Sequence, residues 1–311
     1  MTAYVLRRLA QMVPVLFLIS LFVFFMVRLV PGDPAAIMLG PRATDEAVAE
    51  IRASLRLDQP IWVQYGVFLR NAAEGDLGDS IRRREPVRDV LADRLRPTLF
   101  LVAYAAVLSV AISLPLAALA AVNRGRWIDG LVRGFVLLSL AMPAYWIGMM
   151  LLQQFAVRWQ VFPVAGWGET FPEHLHALFL PALAMALVIA SILIRGLRSA
   201  LIETMDADHV RTARAKGLPG RRVFAWHVLR NSSLSTVTLL GVNLAFLVGG
   251  TTVIETIFSV PGIGQLIVRS IFDRDYPVVQ GVTLLFGVLV MAINLATDLG
   301  YALLDPRLRL S

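Results

Sequence analysis

Apolar residues gather into six blocks along the chain, roughly 9–30, 98–122, 134–157, 178–197, 234–256 and 279–301. Each block is about twenty to twenty-five residues, enough for an α-helix to cross a ~30 Å hydrocarbon core at about 1.5 Å per residue. Backbone amides have no water to bond in that core, so spanning segments must satisfy themselves as helices. The pattern predicts an all-α membrane protein with six transmembrane helices in one domain, 1–311. Pro115, Pro143 and Pro181 fall inside or near these helices and are expected to kink them. The first block follows Arg7 and Arg8, exceeds a signal-peptide core and has no small-residue cleavage site after it. It is expected to be retained as the first membrane helix. No internal repeat or low-complexity linker interrupts the chain.

The segment 31–97 between the first two blocks is patterned too. "TDEAVAEIRASLRL" has Asp45 and Glu46 in a first turn and Val48, Ile51 and Leu55 at helical spacing. "DQPIWVQYGVFLRN" offers Asp58 as an N-cap and Pro60 near the first helical position, with Ile61, Tyr65, Phe68 and Leu69 on one face. "GDLGDS" predicts a turn, and "PVRDVLADRL" restarts a helix on Val87, Val90, Leu91 and Leu95. A compact helical cap is expected here, serving either to pack on the membrane helices or to dock a partner.

Charge sets the orientation. One side carries Arg7, Arg8, Arg124, Arg126, Arg133, Arg195, Arg198, Arg211, Arg214, Lys216, Arg221, Arg222, Arg230, Arg307 and Arg309. The short loops of the other side hold Arg158, Arg269 and Arg274 among Glu169, Glu173, Asp273 and Asp275. The positive-inside rule places both termini in the cytoplasm and loop 31–97 outside. The ten arginines of that loop do not oppose this. Loops beyond about sixty residues cross largely regardless of charge, and eleven acidic residues balance the arginines.

Composition agrees. The chain is 57% hydrophobic and only 16% charged, against about 25% charged in a soluble domain. A formal net charge of +7 would suggest nucleic acid in a soluble protein. Here the arginines serve topology and loop contacts, and the expected surroundings are membrane lipid without nucleic acid. No cysteine is present, which removes disulfides and thiolate metal sites.

Catalytic constellations are scarce. His174, His176, His209 and His227 lie in loops or at helix edges, none beside a serine in a membrane core, and there is no HExxH. His174 and His176 form either a solvated pair or part of a metal site. Asp298 lies in the last block near its cytoplasmic end and Glu255 closes the fifth at its outer side, with no ladder of the kind a proton-driven carrier often uses. Gly249 to Thr252 either lets helices pack closely or lines a solute path. The only lysine, Lys216, stands between Ala215 and Gly217, so no Gly-Lys-Ser/Thr nucleotide loop exists. If ATP and magnesium drive this protein, other chains bind them; no cofactor is expected here, and no enzyme activity.

One stretch breaks the oily pattern: "DHVRTARAKGLPGRRVFAWHVLRN". Asp208 is a plausible N-cap. Val210, Ala213 and Gly217 fall on one stripe, small enough for a partner surface to approach, with Arg211, Arg214 and Lys216 around it. Pro219-Gly220 ends the helix, and a second one, with Val223, Trp226 and Arg230 along it, leads back to the membrane. The segment is either a solvated basic loop or a docking surface.

"RTARAKGL" followed by His-x-Leu-Arg-Asn resembles the signature loop of binding-protein-dependent ABC transporter permeases. More narrowly it resembles the B-type (first permease) subunit of the dipeptide/oligopeptide/nickel family. Gly217 matches the signature glycine and Ala213 its second alanine. Arg211 and Thr212 replace Glu-Ala, Arg230 stands where a proline is usual, and Ser235 where the peptide branch carries one. "VRLVPGDPA", "LDQPIWVQY", "GDLGDSI", "AMPAYWIGMMLLQQFAVRWQVFPVAGW", "VIETIFSVPGIGQL", "RDYPVVQG" and "DLGYALLDPRLR" extend the resemblance over nearly the whole chain.

The resemblance implies a type I ABC importer permease fold in the bacterial inner membrane. It implies a pore shared with a second homologous permease, two ATPase subunits and an extracytoplasmic substrate-binding protein. It makes 198–233 the cytoplasmic coupling loop, with Asp208, Val210, Arg211, Thr212, Ala213, Arg214, Ala215, Lys216, Gly217 and Leu218 as the ATPase contact. Short peptides are the expected cargo, with nickel, glutathione or another small solute as alternatives, and a stand-alone channel or proton-coupled carrier as the reading from another class.

Overall fold

The computed structural model describes residues 2–28, 34–39, 44–54 and 57–304. Leu55, Arg307, Arg309 and parts of the "VRLVPGDPA" and "DLGYALLDPRLR" motifs lie outside the described residues, as does the side chain of Ser235. Among the described residues every regular element is a helix, apart from an isolated bridge between Asp79 and Pro86.

In chain order the helices are α1 (Thr2–Arg28), α2 (Pro34–Leu39), α3 (Asp45–Ser54), α4 (Ile61–Glu74), α5 (Val87–Val122), α6 (Trp127–Ala141), α7 (Ala144–Leu151), α8 (Phe171–Ala177), α9 (Phe179–Met205), α10 (Asp208–Ala215), α11 (Gly220–Arg222), α12 (Arg230–Ile257), α13 (Ile263–Phe272) and α14 (Tyr276–Leu304). Two π-helical turns, Leu152–Arg158 and Val223–Leu229, follow α7 and α11 without a break. The chain divides into two compact units, residues 1–98 with 261–292, and residues 99–260 with 293–311.

Among the described residues, four helices are long and apolar enough to cross a membrane: Val87–Val122, Phe179–Met205, Leu239–Ile257 and Tyr276–Gly300. The block at 134–157 is not the single span expected. It is split into α6 and the run Ala144–Arg158, bent by 102°. Pro143 explains the break. It lacks an N–H and drives the preceding residue out of the helical region, and Met142 is extended at φ −102°, ψ 131°. Counted as one span, the pair makes a fifth. The apolar part of α1, Ala10–Met26, is shorter; at about 1.5 Å per residue it reaches only about 25 Å. Pro115 sits inside an uninterrupted α5, and Pro181 in the first turn of α9, where a missing N–H costs nothing.

In the first unit, α3 and α4 occupy the ranges their patterns predict. The cap of α4 is Pro60 rather than Asp58, with φ −55° and ψ 142°. Gly75 closes the helix at φ 80°, a left-handed conformation that glycine adopts at no steric cost. Tyr65 turns into an aromatic cluster on α1, 5.1 Å from the Phe24 ring centroid, with its hydroxyl 2.9 Å from Ser20 Oγ. The cap segment therefore packs on its own chain. "PVRDVLADRL" forms the opening turns of α5. Val87, Val90 and Leu91 are buried there with Ile263 and Leu266 of α13 and Val278 and Val282 of α14. The Ile263 amide, free at the start of α13, donates to Thr98 Oγ1 at 2.8 Å. Gly281 lets α14 close on this cluster, since a Cβ there would stand 2.7 Å from Val87 Cγ1.

Asp275 ties the 80–82 turn down. Its buried carboxylate accepts the Ser80 hydroxyl and the amides of Ile81 (3.3 Å) and Arg82 (3.4 Å).

The second unit is built around α9, whose buried residues include Ala182, Ala184, Ala186, Ala190, Leu193, Ile194, Leu197 and Leu201. α6, α7 and α12 pack against it. Gly148 of α7 brings the backbone close to Phe258, Ile254 and Ala184. The 159–178 connection folds on aromatic rings. Trp167 stacks on His174 at 3.7 Å between centroids, and Phe162 stacks on Phe179 at 5.0 Å. His174 is buried rather than solvated, and its Nδ1 donates to the Trp167 carbonyl at 2.8 Å. His176 Nε2 donates to the Val161 carbonyl at 2.9 Å. Nearby, the Glu169 amide donates to Glu173 at 2.8 Å and holds that exposed carboxylate below its ordinary range.

Removing the Asp275 anchor frees the turn that carries Arg82, Arg83 and Arg84. Asp275→Asn is expected to make this run a preferred early tryptic site in detergent. Comparing limited digests of the two proteins by mass spectrometry checks it; an unchanged cleavage order would show that the anchor is dispensable.

Candidate functional site

The basic segment that stands out in the sequence folds as α10, a tight stop, α11 and the second π turn. The N-cap of α10 is Ala207, in an extended conformation, so Asp208 is the first helical residue rather than the cap. The Ala207 carbonyl accepts the amides of Val210 (3.0 Å) and Arg211 (3.2 Å). Asp208 places its charge at the positive end of the helix, which favours it.

The helix ends at Ala215, not at Pro219. The Gly217 amide donates to the Arg214 carbonyl at 2.9 Å and the Leu218 amide to the Ala213 carbonyl at 3.4 Å. This is a Schellman stop, which needs a left-handed residue at the position after the cap, and Gly217 supplies it at φ 77°. Pro219 instead caps the helix that follows.

The small stripe does not face a partner. Val210 and Ala213 are buried in the chain's own core, in one cluster with Leu197 and Leu201 of α9, Val132 and Val136 of α6, Ala117, Ala120 and Ala121 of α5, and Val223 and Val228. Leu218 packs on its edge. Gly217 does not share the stripe; it lies past the helix end, exposed, with nothing within 4 Å of the place a Cβ would take. The outward face belongs to Asp208, Arg211, Thr212, Arg214, Ala215 and Lys216. Arg221, Arg222 and Arg230 add to it, and the Arg230 guanidinium lies 5.8 Å from the ring centroid of exposed Trp226.

The π winding accounts for the second half of the segment. Val223 and Val228 are both buried, yet in an α-helix residues five apart diverge by about 140°. Hydrogen bonds that span five residues instead of four bring them to one side. The segment then joins α12 directly.

Beneath this face lies a buried charge that the sequence pattern does not single out. Asp129, in the first turn of α6, is 1% exposed. Arg198 of α9 grips it with Nε on Oδ1 and Nη2 on Oδ2, both at 2.7 Å. The Gly125 amide donates to Oδ2 at 3.1 Å, and Arg133 approaches to 3.8 Å. Two parallel bonds between guanidinium and carboxylate fix both distance and orientation. A weaker exposed pair, Arg124 to Asp206 at 3.3 Å, crosses the same gap. An acid four residues before Arg133, between two apolar blocks, is the only hint the sequence offers.

Gly249 and Gly250 of α12 are exposed, and among the described residues no other element comes within 4 Å of either missing Cβ. Among the described residues no other element uses the close approach they permit.

Residues 113–310 match the family described as binding-protein-dependent transport system inner membrane component, and residues 1–102 match its N-terminal membrane component. A glutathione transport system permease protein of Escherichia coli O6:H1 is 38% identical over 309 residues, covering 99% of each chain. A putative peptide transport system permease protein of Brucella abortus (strain 2308) is 39% identical over 312 residues, with the same coverage. Among solved structures, an inward-facing MetNI methionine ABC transporter aligns with a TM-score of 0.59 at 18% identity, covering 70% of this chain and 96% of that one. A crystal structure of an amino acid ABC transporter aligns at 0.54 and 12% identity, covering 69% and 94%. With both family regions matched across nearly its full length, the chain belongs to the binding-protein-dependent permeases: it is a multi-pass inner-membrane component of an ABC transporter, with the importer-permease fold.

Proposed function

We infer that this chain is the B-type permease subunit of an ATP-driven importer of short peptides. It forms a pore with a second, homologous permease, above two ATPase chains and below an extracytoplasmic binding protein. ATP and magnesium are held by the ATPases. The relatives named for peptide and glutathione transport favour a peptide-class cargo, glutathione among them. The chain spans the membrane six times, counting α1 and the bent α6–α7 pair, with both termini in the cytoplasm and the 31–97 segment outside.

One observation carries the coupling role of 198–233. α10 presents an exposed basic face while Val210 and Ala213 fasten its other side to the core that also holds α6 and α9. A solvated basic loop needs no such anchoring. A lever does, because force applied to the exposed face must reach the membrane helices. Arg211, Thr212, Arg214, Ala215 and Lys216 make the ATPase contact. Val210, Ala213 and Leu218 hold the helix in place, and Gly217 stops it.

Reversing charge on the exposed face tests the contact. In the co-expressed transporter, Arg211→Glu with Arg214→Glu should lower ATPase co-purification about tenfold or more, the scale of like-charge juxtaposition at an interface. Full retention of the ATPases would refute the docking face. Gly217 acts differently: Gly217→Ala should cost about 1–2 kcal/mol by forcing a side chain into the left-handed region. Gly217→Asn, which tolerates that region, should cost less. Thermal unfolding of the purified permease ranks the two, and equal melting temperatures for both variants and the native protein would remove the stop from the account.

Topology is tested in the cysteine-free chain. A single cysteine replacing exposed Arg70 should react with an impermeant maleimide in intact spheroplasts. Reaction only after lysis would invert the assignment.

A further inference from the structure

We propose that Asp129 and Arg198 are positioning residues for transport: their buried pair makes α6 move as one body with α9 and α10, so that displacement of α10 is delivered to the joint at Met142–Pro143. The proposal rests on α10 being the ATPase contact.

α6 runs unbroken from Trp127 to Ala141, and its first turn carries Asp129. The far end has no helical continuity with α7, because Met142 and Pro143 are both extended. α7 packs at the other end of α9, through Gly148 against Ala184, and is also held by Ile254 and Phe258 at the end of α12. α6 is therefore fixed at one end and jointed at the other. Along its length, hydrophobic packing alone would join it to α9 through Val132 and Val136. Apolar contacts resist separation but allow helices to slide by small steps. The bidentate pair does not allow sliding: both carboxylate oxygens are engaged at 2.7 Å, and a slide would leave the buried Asp129 with only the more distant Arg133 and the Gly125 amide. Arg198 is also well placed on α9. It lies nine residues before Ala207, which caps α10, and close to Leu197 and Leu201, which share the core of Val210 and Ala213.

A pair kept only for stability would lower melting temperature and abundance together with every activity. A pair that transmits displacement separates uptake from hydrolysis. The test uses the whole transporter, co-expressed with its ATPases and binding protein and reconstituted in vesicles. Asp129→Asn keeps the shape and removes the charge. The ATPases should still co-purify and hydrolyse ATP, while peptide taken up per ATP falls about tenfold, within the usual span of a coupling between sites. Asp129→Glu, which restores the charge, should recover most of that loss. Native uptake per ATP in Asp129→Asn overturns the proposal, and so does equal loss in the Glu variant.

Should Asp129→Asn fail to assemble, the native pair is tested directly. Spin labels on cysteines replacing Leu138 of α6 and Glu203 of α9, both exposed, report one distance. That distance is expected to stay fixed between the nucleotide-free and ATP-trapped transporter. A change of several ångströms would show the two helices moving independently and end the proposal. The docking reading fails on different evidence, since charge reversal at Arg211 and Arg214 that left the ATPases bound would refute it whatever the labels show.

Discussion

The second unit depends on the burial of α9 on nearly every side. A membrane helix that touches protein all round must be narrow, and α9 is narrow because alanines recur where α6, α7 and α12 press against it. Gly196 extends the same logic, since a Cβ there would collide with Leu239. Once α9 is enclosed, its continuation has no freedom to wander. Met205 leads through Asp206 and Ala207 into α10, and the core of α9 becomes the core beneath α10. A signature segment at the surface is therefore positioned by residues twenty or more places earlier in the chain.

Much of this was legible in advance. The helical periods at Asp45–Ser54 and Ile61–Glu74 were plain because local capping and amphipathic spacing decide short helices at a surface. The order of family motifs carried the identity. The stripe of Val210 and Ala213 was visible too, but its direction was not. Amphipathicity says that two faces differ, not which face meets a partner. The cover for that stripe comes from Leu197, Leu201, Val223 and Val228, which no local pattern joins to it. Gly217 looked like part of the stripe because helical spacing was assumed to continue, whereas its left-handed backbone ends the helix.

The broken span and the buried acid escaped for opposite reasons. Hydropathy averages over about nineteen residues, so it merges the end of α6 with α7 into one block, and the kink expected at Pro143 does not foretell a bend of 102°. Asp129 was hidden by the company of arginines, which read as topology signals. Only the fold shows that Arg198 is spent on a neighbouring helix rather than on the membrane potential or the loop surface. In a membrane protein this distinction matters, because a buried charge is costly and persists where it does something specific.

The π turn at Val223–Leu229 sets the angular phase between two surfaces. Everything beyond it, from Arg230 to Ile257, is continuous helix, so the turn fixes how the azimuth of Trp226 and Arg222 relates to that of Phe246, Gly249 and Gly250. Each residue of helix is about 100° of rotation. Wound as ordinary α-helix, the same residues would swing the basic surface by roughly that angle around the axis of α12. The wide turn thus acts as a fixed gear setting between the exposed basic surface and the exposed face of α12.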